Sequence, residues 1–127
     1  MSTFQSFEEI EAWQKARELT KRVYDVSDTG PFARDFGLRD QIRRAAVSVM
    51  SNIAEGFEPG GDNEFYQFLS VAKGSCGEVR SQSYVALDAR YIAQPNFNGL
   101  LADAFELGNV LGGLRRSVER RRELFRG

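Results

Sequence analysis

An all-α fold, an antiparallel up-down-up-down four-helix bundle, is predicted for this chain by three observations. Apolar residues recur at intervals of three and four through four long segments, the spacing that lines one face of a helix. No stretch alternates apolar and polar residues with the period of two that a half-buried strand requires. Pro31, Pro59 and Pro95 all fall between the periodic segments, where they act as punctuation. Four amphipathic helices with short connections bury their apolar faces most simply against one another. A chain of 127 residues suffices for one such core, so residues 1–127 are read as a single domain.

The first helix is expected to begin near Phe7. Ser6 and Glu9 make an S-x-x-E capping box, whose side chains satisfy free amides of a first turn. Trp13, Ala16, Thr20 and Val23 share the buried face, flanked by Ala12, Leu19 and Val26. Glu11, Lys15, Glu18 and Arg22 line a solvated face with i,i+4 charge pairs. The helix is expected to fade near Ser27, before "DTGP". The second runs from Asp35 to Glu55 on Leu38, Ile42, Ala45, Ala46, Val49 and Ile53. Gly56 is its expected C-cap, because glycine takes the left-handed conformation without a Cβ clash. "GFEPGGD" then turns the chain.

The third helix begins near Asp62 and reaches toward Ile92. Phe65, Phe68, Leu69, Ala72, Cys76, Val79, Ser83, Ala86 and Leu87 keep its helical spacing. The fourth follows "QPN", on Phe97, Leu100, Leu101, Ala104, Leu107, Leu111, Leu114 and Val118. Beyond Val118 it is polar nearly all round, and that end is expected to be solvated or frayed.

The composition argues against catalysis. Histidine is absent, which removes the commonest general base and the commonest transition-metal ligand. Bundle di-metal sites need E-x-x-H motifs, which cannot form here. Serines 48, 51 and 75 lack a base to activate them, and no P-loop is present. Cys76 is the lone cysteine and lies on a core stripe, so it reads as a small hydrophobe. No enzyme, metal or cofactor is expected, and no small-molecule substrate. No apolar run is long enough for a bilayer. "MSTFQSFEE" lacks the features of a signal peptide, so the expected location is cytoplasmic.

The net charge of −1 disfavours non-specific nucleic-acid binding by bulk charge. The charges are nevertheless uneven: from Arg115 to Arg126, six arginines stand against Glu119 and Glu123. Arg39 and Arg43 on the second helix, with Arg115, Arg116, Arg120, Arg121 and Arg122, are candidate phosphate or partner contacts. The plainer reading is solvated surface and complement to a helix dipole. Convergence on one face favours binding; scatter, or pairing with acids, disfavours it.

Two further features need a packing reason. Gly74, Gly77, Gly108, Gly112 and Gly113 lie within helices, where each costs roughly 1 kcal/mol relative to alanine. They mark close approach either between helices of the bundle or between subunits. Tyr66, Lys73, Gly77, Tyr84 and Tyr91 form a second stripe on the third helix. With the wide apolar arc of the first helix, that stripe points to an oligomer.

Within "AVSVMSNIAEGF", small polar residues and a carboxylate, Ser48, Ser51, Asn52 and Glu55, interrupt an apolar helix. The longer stretch "GLRDQIRRAAVSVMSNIAEGF" resembles the small bacterial four-helix-bundle proteins encoded in 23S rRNA intervening sequences. "FEEIEAWQKARELTKRVYDVS" and "EFYQFLSVAKGSCGEVRSQ" extend the resemblance over almost the whole chain. The positions matching the family motif are Gln41, Arg44, Ser48, Asn52, Glu55 and Gly56, then Ser75 and Glu78. The resemblance implies a left-handed bundle, commonly assembled as a ring of five, and no known enzymatic activity. It also implies kinship with the accessory proteins of diversity-generating retroelements, whose implied ligands are the polymerase and RNA. That branch is markedly basic, whereas this chain is slightly acidic.

The motif residues are read as a polar seam between helices or subunits, with Arg44 pairing Glu55 or Glu78. Asn52 and Glu55 are expected to be at least partly buried and hydrogen-bonded across helices. The expected function is a non-enzymatic homo-oligomer, taken as a pentamer. It would act as a binding or assembly module for structured RNA or a nucleic-acid enzyme. The alternative is a purely structural or mobile-element passenger protein.

Overall fold

The computed structural model describes residues 4–57 and 61–125, and among them only helices form. A 3-10 turn over Phe7–Glu9 precedes α1 (Glu11–Val26), α2 (Gly30–Arg34), α3 (Phe36–Phe57), α4 (Asp62–Asp88) and α5 (Gln94–Phe125). The four long helices close a cycle of contacts: α1 packs on α3 and α5, α3 on α4, and α4 on α5. The predicted stripes meet at the centre. Leu19, Val23, Ile42, Val49, Ile53, Leu69, Val79, Leu100, Leu107 and Leu111 are all removed from solvent. Among the described residues, no helix is long and apolar enough to cross a membrane.

The helix ends differ from expectation, each for a local reason. Glu9 Oε2 accepts from the amides of Ser6 at 3.1 Å and Gln5 at 3.0 Å, so its side chain does serve the chain start. The turn it serves is 3-10, however, and the buried, extended Ile10 separates it from α1. "DTGP" does not simply end a helix. Gly30 takes φ +66°, Pro31 fits the first turn beyond it, and the short α2 follows. α2 places Phe32 in the core, stacked on Tyr91 with ring centres 5.4 Å apart.

Asp35 links α2 to α3. Its Oδ1 accepts from the Leu38 amide at 3.1 Å and its Oδ2 from the Tyr91 hydroxyl at 2.9 Å. The Leu38 bond first, then the Tyr91 bond, holds the Asp35 carboxyl below its ordinary range. Stability from a depressed carboxyl is present above its unfolded value and lost as pH falls through its folded value. This link therefore persists into acid below the usual carboxylate range.

Gly56 is not a C-cap. It lies inside α3, buried, and Gly30 is the glycine with positive φ among the described residues. A Cβ on Gly56 would sit 2.5 Å from Cβ of Phe68, so α3 and α4 approach here as only glycine permits. The turn expected at "GFEPGGD" lies partly outside the described residues, at 58–60.

α4 stops four residues short of Ile92. The Arg90 amide donates to Leu87 O at 3.0 Å and the Tyr91 amide to Ala86 O at 2.9 Å, with Arg90 at φ 64°. This is a Schellman ending, in which the left-handed residue is usually glycine. An arginine there carries no signal in the sequence. α5 continues past Val118 to Phe125, and its end is tied down rather than frayed. Arg121 grips Asp62 through two bonds of 3.2 and 3.3 Å, and Arg122 reaches Asn63 at 2.6 Å.

Candidate functional site

The motif residues of α3 and α4 gather along one side of the α3–α4 contact. Ser48 Oγ and the buried Ser75 Oγ lie 3.0 Å apart, bridging the two helices. Asn52, half-buried, donates its Nδ2 to Ser48 O at 2.7 Å and to Ser48 Oγ at 2.9 Å. Asn52 is therefore partly buried as expected, but its hydrogen bonds stay within α3, and only the Ser48–Ser75 pair crosses to α4. The relay satisfies hydroxyls that would otherwise be costly among apolar neighbours.

One turn toward the start of α3, the seam opens into a cleft of about 370 Å³ lined by Gln41, Arg44, Ala45, Ser48, Glu78 and Gln82. Arg44 and Glu78 both line it, yet neither takes part in an ion pair among the described residues. Glu55 stands exposed and likewise unpaired, so the arginine expected to hold it does not. Gln82 belongs to this cleft and went unrecognised in the sequence. Its position one turn after Glu78 on the same side of α4 was the available signal.

The candidate cationic contacts divide. Arg39 pairs with Asp40 at 3.0 Å and donates to Ala33 O at 3.1 Å. Arg43 donates to Ser27 Oγ at 2.8 Å and lies over the Tyr24 ring. Both tie α3 to the segments before it. Arg121 pairs with Asp62, and Arg122 with Glu119 at 2.8 Å. Arg115 is different: it donates to the neutral Ser70 and Tyr66 hydroxyls at 3.2 and 3.1 Å, and its charge has no acid partner among the described residues. Arg116 and Arg120 are exposed and in no ion pair among the described residues.

Two cations missed in the sequence join them from α4. Lys73 and Arg116 both reach the Cβ position of Gly112, at 3.6 Å from Cε and 3.5 Å from Nη1 respectively. Arg80 stacks on the exposed Phe105 ring of α5 at 5.3 Å. Lys73, Gly77 and Arg80 follow one another at helical spacing, which aims both cations at α5.

Close approach between helices of one chain does not account for most of these glycines. A Cβ on Gly74, Gly77 or Gly108 would meet nothing within 4 Å, so no contact inside this chain requires glycine there. At Gly112 it would meet only the flexible ends of Lys73 and Arg116, at ordinary contact distances. The stripe of Tyr66, Tyr84 and Tyr91 is largely used within the chain. Tyr66 lies beneath Arg115 and Arg122, Tyr84 meets Phe97 edge-on at 4.9 Å, and Tyr91 stacks on Phe32. The outward face of α4 carries Val71 and Val85, each about half exposed, with Gly74, Glu78 and Ser81 between them.

Cys76 is buried, and burial pushes its thiol up to about 11. A thiol so placed is inert as a nucleophile. An aromatic disulfide reagent at pH 8 should modify it in the folded protein no faster than the protein unfolds, and at once in denaturant. Rapid reaction in the folded protein would contradict its burial. Among the described residues, no group of three or more carboxylate or thiol side chains is placed to hold a metal.

Comparison with known proteins supplies two findings. A family model described as 23S rRNA-intervening sequence protein matches residues 8–113. A crystal structure of a protein with unknown function from the S23 ribosomal protein family of Bacteroides thetaiotaomicron superposes with a TM-score of 0.76. It is 19% identical, and the match covers 83% of this chain and 95% of that one. At that identity the likeness is one of fold. No curated protein matches.

Proposed function

This chain belongs to the 23S rRNA-intervening sequence protein family, and from that premise we propose that it is a non-enzymatic, homo-oligomeric module binding structured RNA. The carrying observation is the set of cations between α4 and α5. Lys73, Arg80, Arg115 and Arg116, with the exposed Arg120 further along α5, have no acid partner among the described residues, although the chain as a whole has a net charge of −1. Such segregation of charge is what a phosphate backbone selects. Exposed Phe105 and Tyr84 beside them offer rings on which unpaired bases stack.

The bundle is proposed to be left-handed, with its helices running up, down, up and down. Supporting the alternation of direction, Arg121 at the end of α5 meets Asp62 at the start of α4, and Arg22 and Lys15 of α1 meet Asp103 and Glu106 of α5; the hand is what the resemblance implies. The assembly is proposed to be the ring of five that the resemblance implies. Its proposed location is the cytoplasm. The pairing of Arg39, Arg43, Arg121 and Arg122 within the chain favours the alternative, a purely structural or mobile-element passenger protein.

A binding titration with a structured RNA separates these readings. Each phosphate contact contributes roughly 0.7 to 0.9 to the slope of log affinity against log salt. Arg116→Glu with Arg120→Glu should weaken binding more than tenfold and flatten that slope. Light scattering on the same sample should give several times 14.3 kDa. RNA affinity unchanged by the double variant would remove the RNA reading, and a monomer would remove the assembly.

A further inference from the structure

We propose that the α3–α4 cleft binds a guanine base. The two walls differ in chemistry. α4 contributes Glu78 and Gln82, one turn apart. Glu78 offers only acceptors when ionised. Gln82 Oε1 is buried without a hydrogen-bond partner, the one such side-chain atom among the described residues. A buried acceptor without a donor is unfavourable, and the half-buried Gln82 side chain gains by turning that oxygen out of the wall to accept from a ligand's N–H. α3 contributes Arg44 and Gln41. The guanidinium donates only, and the Gln41 amide adds two N–H donors. Arg44 and Glu78 leave each other's charge unneutralised across the gap.

The ligand must therefore present adjacent donors to α4 and adjacent acceptors to α3. Guanine carries N1–H and the N2 amine on one edge, followed by O6 and N7 on the next. The N1–H and N2–H pair matches a carboxylate, leaving the second N2 hydrogen for Gln82 Oε1. O6 and N7 form the pair that arginine reads in DNA. Adenine, cytosine and uracil each lack two neighbouring donors. The cleft of about 370 Å³ admits a planar base with room for its ribose. Ser48 closes one end, its hydroxyl already engaged by Ser75 and Asn52.

The base can come from an unpaired position in RNA, which rests on the function proposed above, or from a free nucleotide, which does not. The full chain is titrated with GMP, IMP, AMP, CMP and UMP by calorimetry, and with a hairpin RNA bearing a loop G, inosine or A. GMP should bind at least tenfold tighter than IMP, which lacks the N2 amine, and the other three should bind more weakly still. Glu78→Gln should abolish that preference without changing the melting temperature, because Glu78 is exposed and unpaired. Preference for G only within the hairpin identifies RNA as the source. Preference among free nucleotides without hairpin binding keeps this inference and removes RNA from the function. Hairpin binding with no base preference, together with indifference among free nucleotides, overturns the guanine site and leaves the basic face intact. Equal GMP affinity in Glu78→Gln also overturns it.

Discussion

Gly56→Ala should destabilise the fold by about 1 to 3 kcal/mol, the usual range for overpacking, although alanine is the best helix former. The added Cβ would lie 2.5 Å from Cβ of Phe68, with Phe68 Cγ at 3.1 Å and Phe65 Cδ1 at 3.2 Å. The nearest of these is rigidly attached to the α4 backbone and cannot rotate away. α3 and α4 must separate, and the neighbouring contacts of Ile53, Phe57 and Phe65 loosen with them. Helix propensity alone predicts the opposite sign, a gain of roughly 1 kcal/mol. Gly108→Ala supplies the contrast, since its new methyl meets nothing within 4 Å. That variant should stabilise the monomer fold by about 0.5 to 1 kcal/mol. Urea unfolding of both variants beside the parent checks the pair. If Gly56→Ala unfolds at the parent's midpoint or above, the close approach at Gly56 is wrong.

Phe32→Ala should cost about 3 to 5 kcal/mol, the range for removing a buried aromatic side chain. Phe32 is completely buried, yet it projects from a helix of only five residues. So short a helix cannot persist by its own hydrogen bonds; its anchor is the ring. Phe32 stacks on Tyr91, and Tyr91 in turn donates to Asp35, which accepts from the Leu38 amide in the first turn of α3. Deleting the ring leaves a cavity beneath α2 and frees Tyr91 from one side. Thermal unfolding followed by circular dichroism should show a large drop in midpoint, and Phe32→Leu a much smaller one. A loss under about 1 kcal/mol would mean that α2 is a surface ornament rather than a plug.

The sequence by itself determined the helical class, the four long segments and their buried faces. Those follow from a spacing of three and four, and the stripe from Leu38 to Ile53 or from Leu100 to Val118 cannot be buried by any other regular structure. It also determined that Cys76 is a core residue, because its neighbours at helical spacing are apolar. The tertiary structure alone decided which polar residues matter. Arg39 and Arg116 look alike in the sequence, but Asp40 and the α2 carbonyl of Ala33 engage the first, while no acid among the described residues engages the second. Gly56 and Gly108 look alike too, and only the position of Phe68 makes one indispensable. Gln82 joined Arg44 and Glu78 because α3 and α4 place residues far apart in sequence on opposite walls of one cleft. Local periodicity encodes which way a side chain faces. What it faces is set by the neighbouring helix, and no spacing within a single helix carries that information.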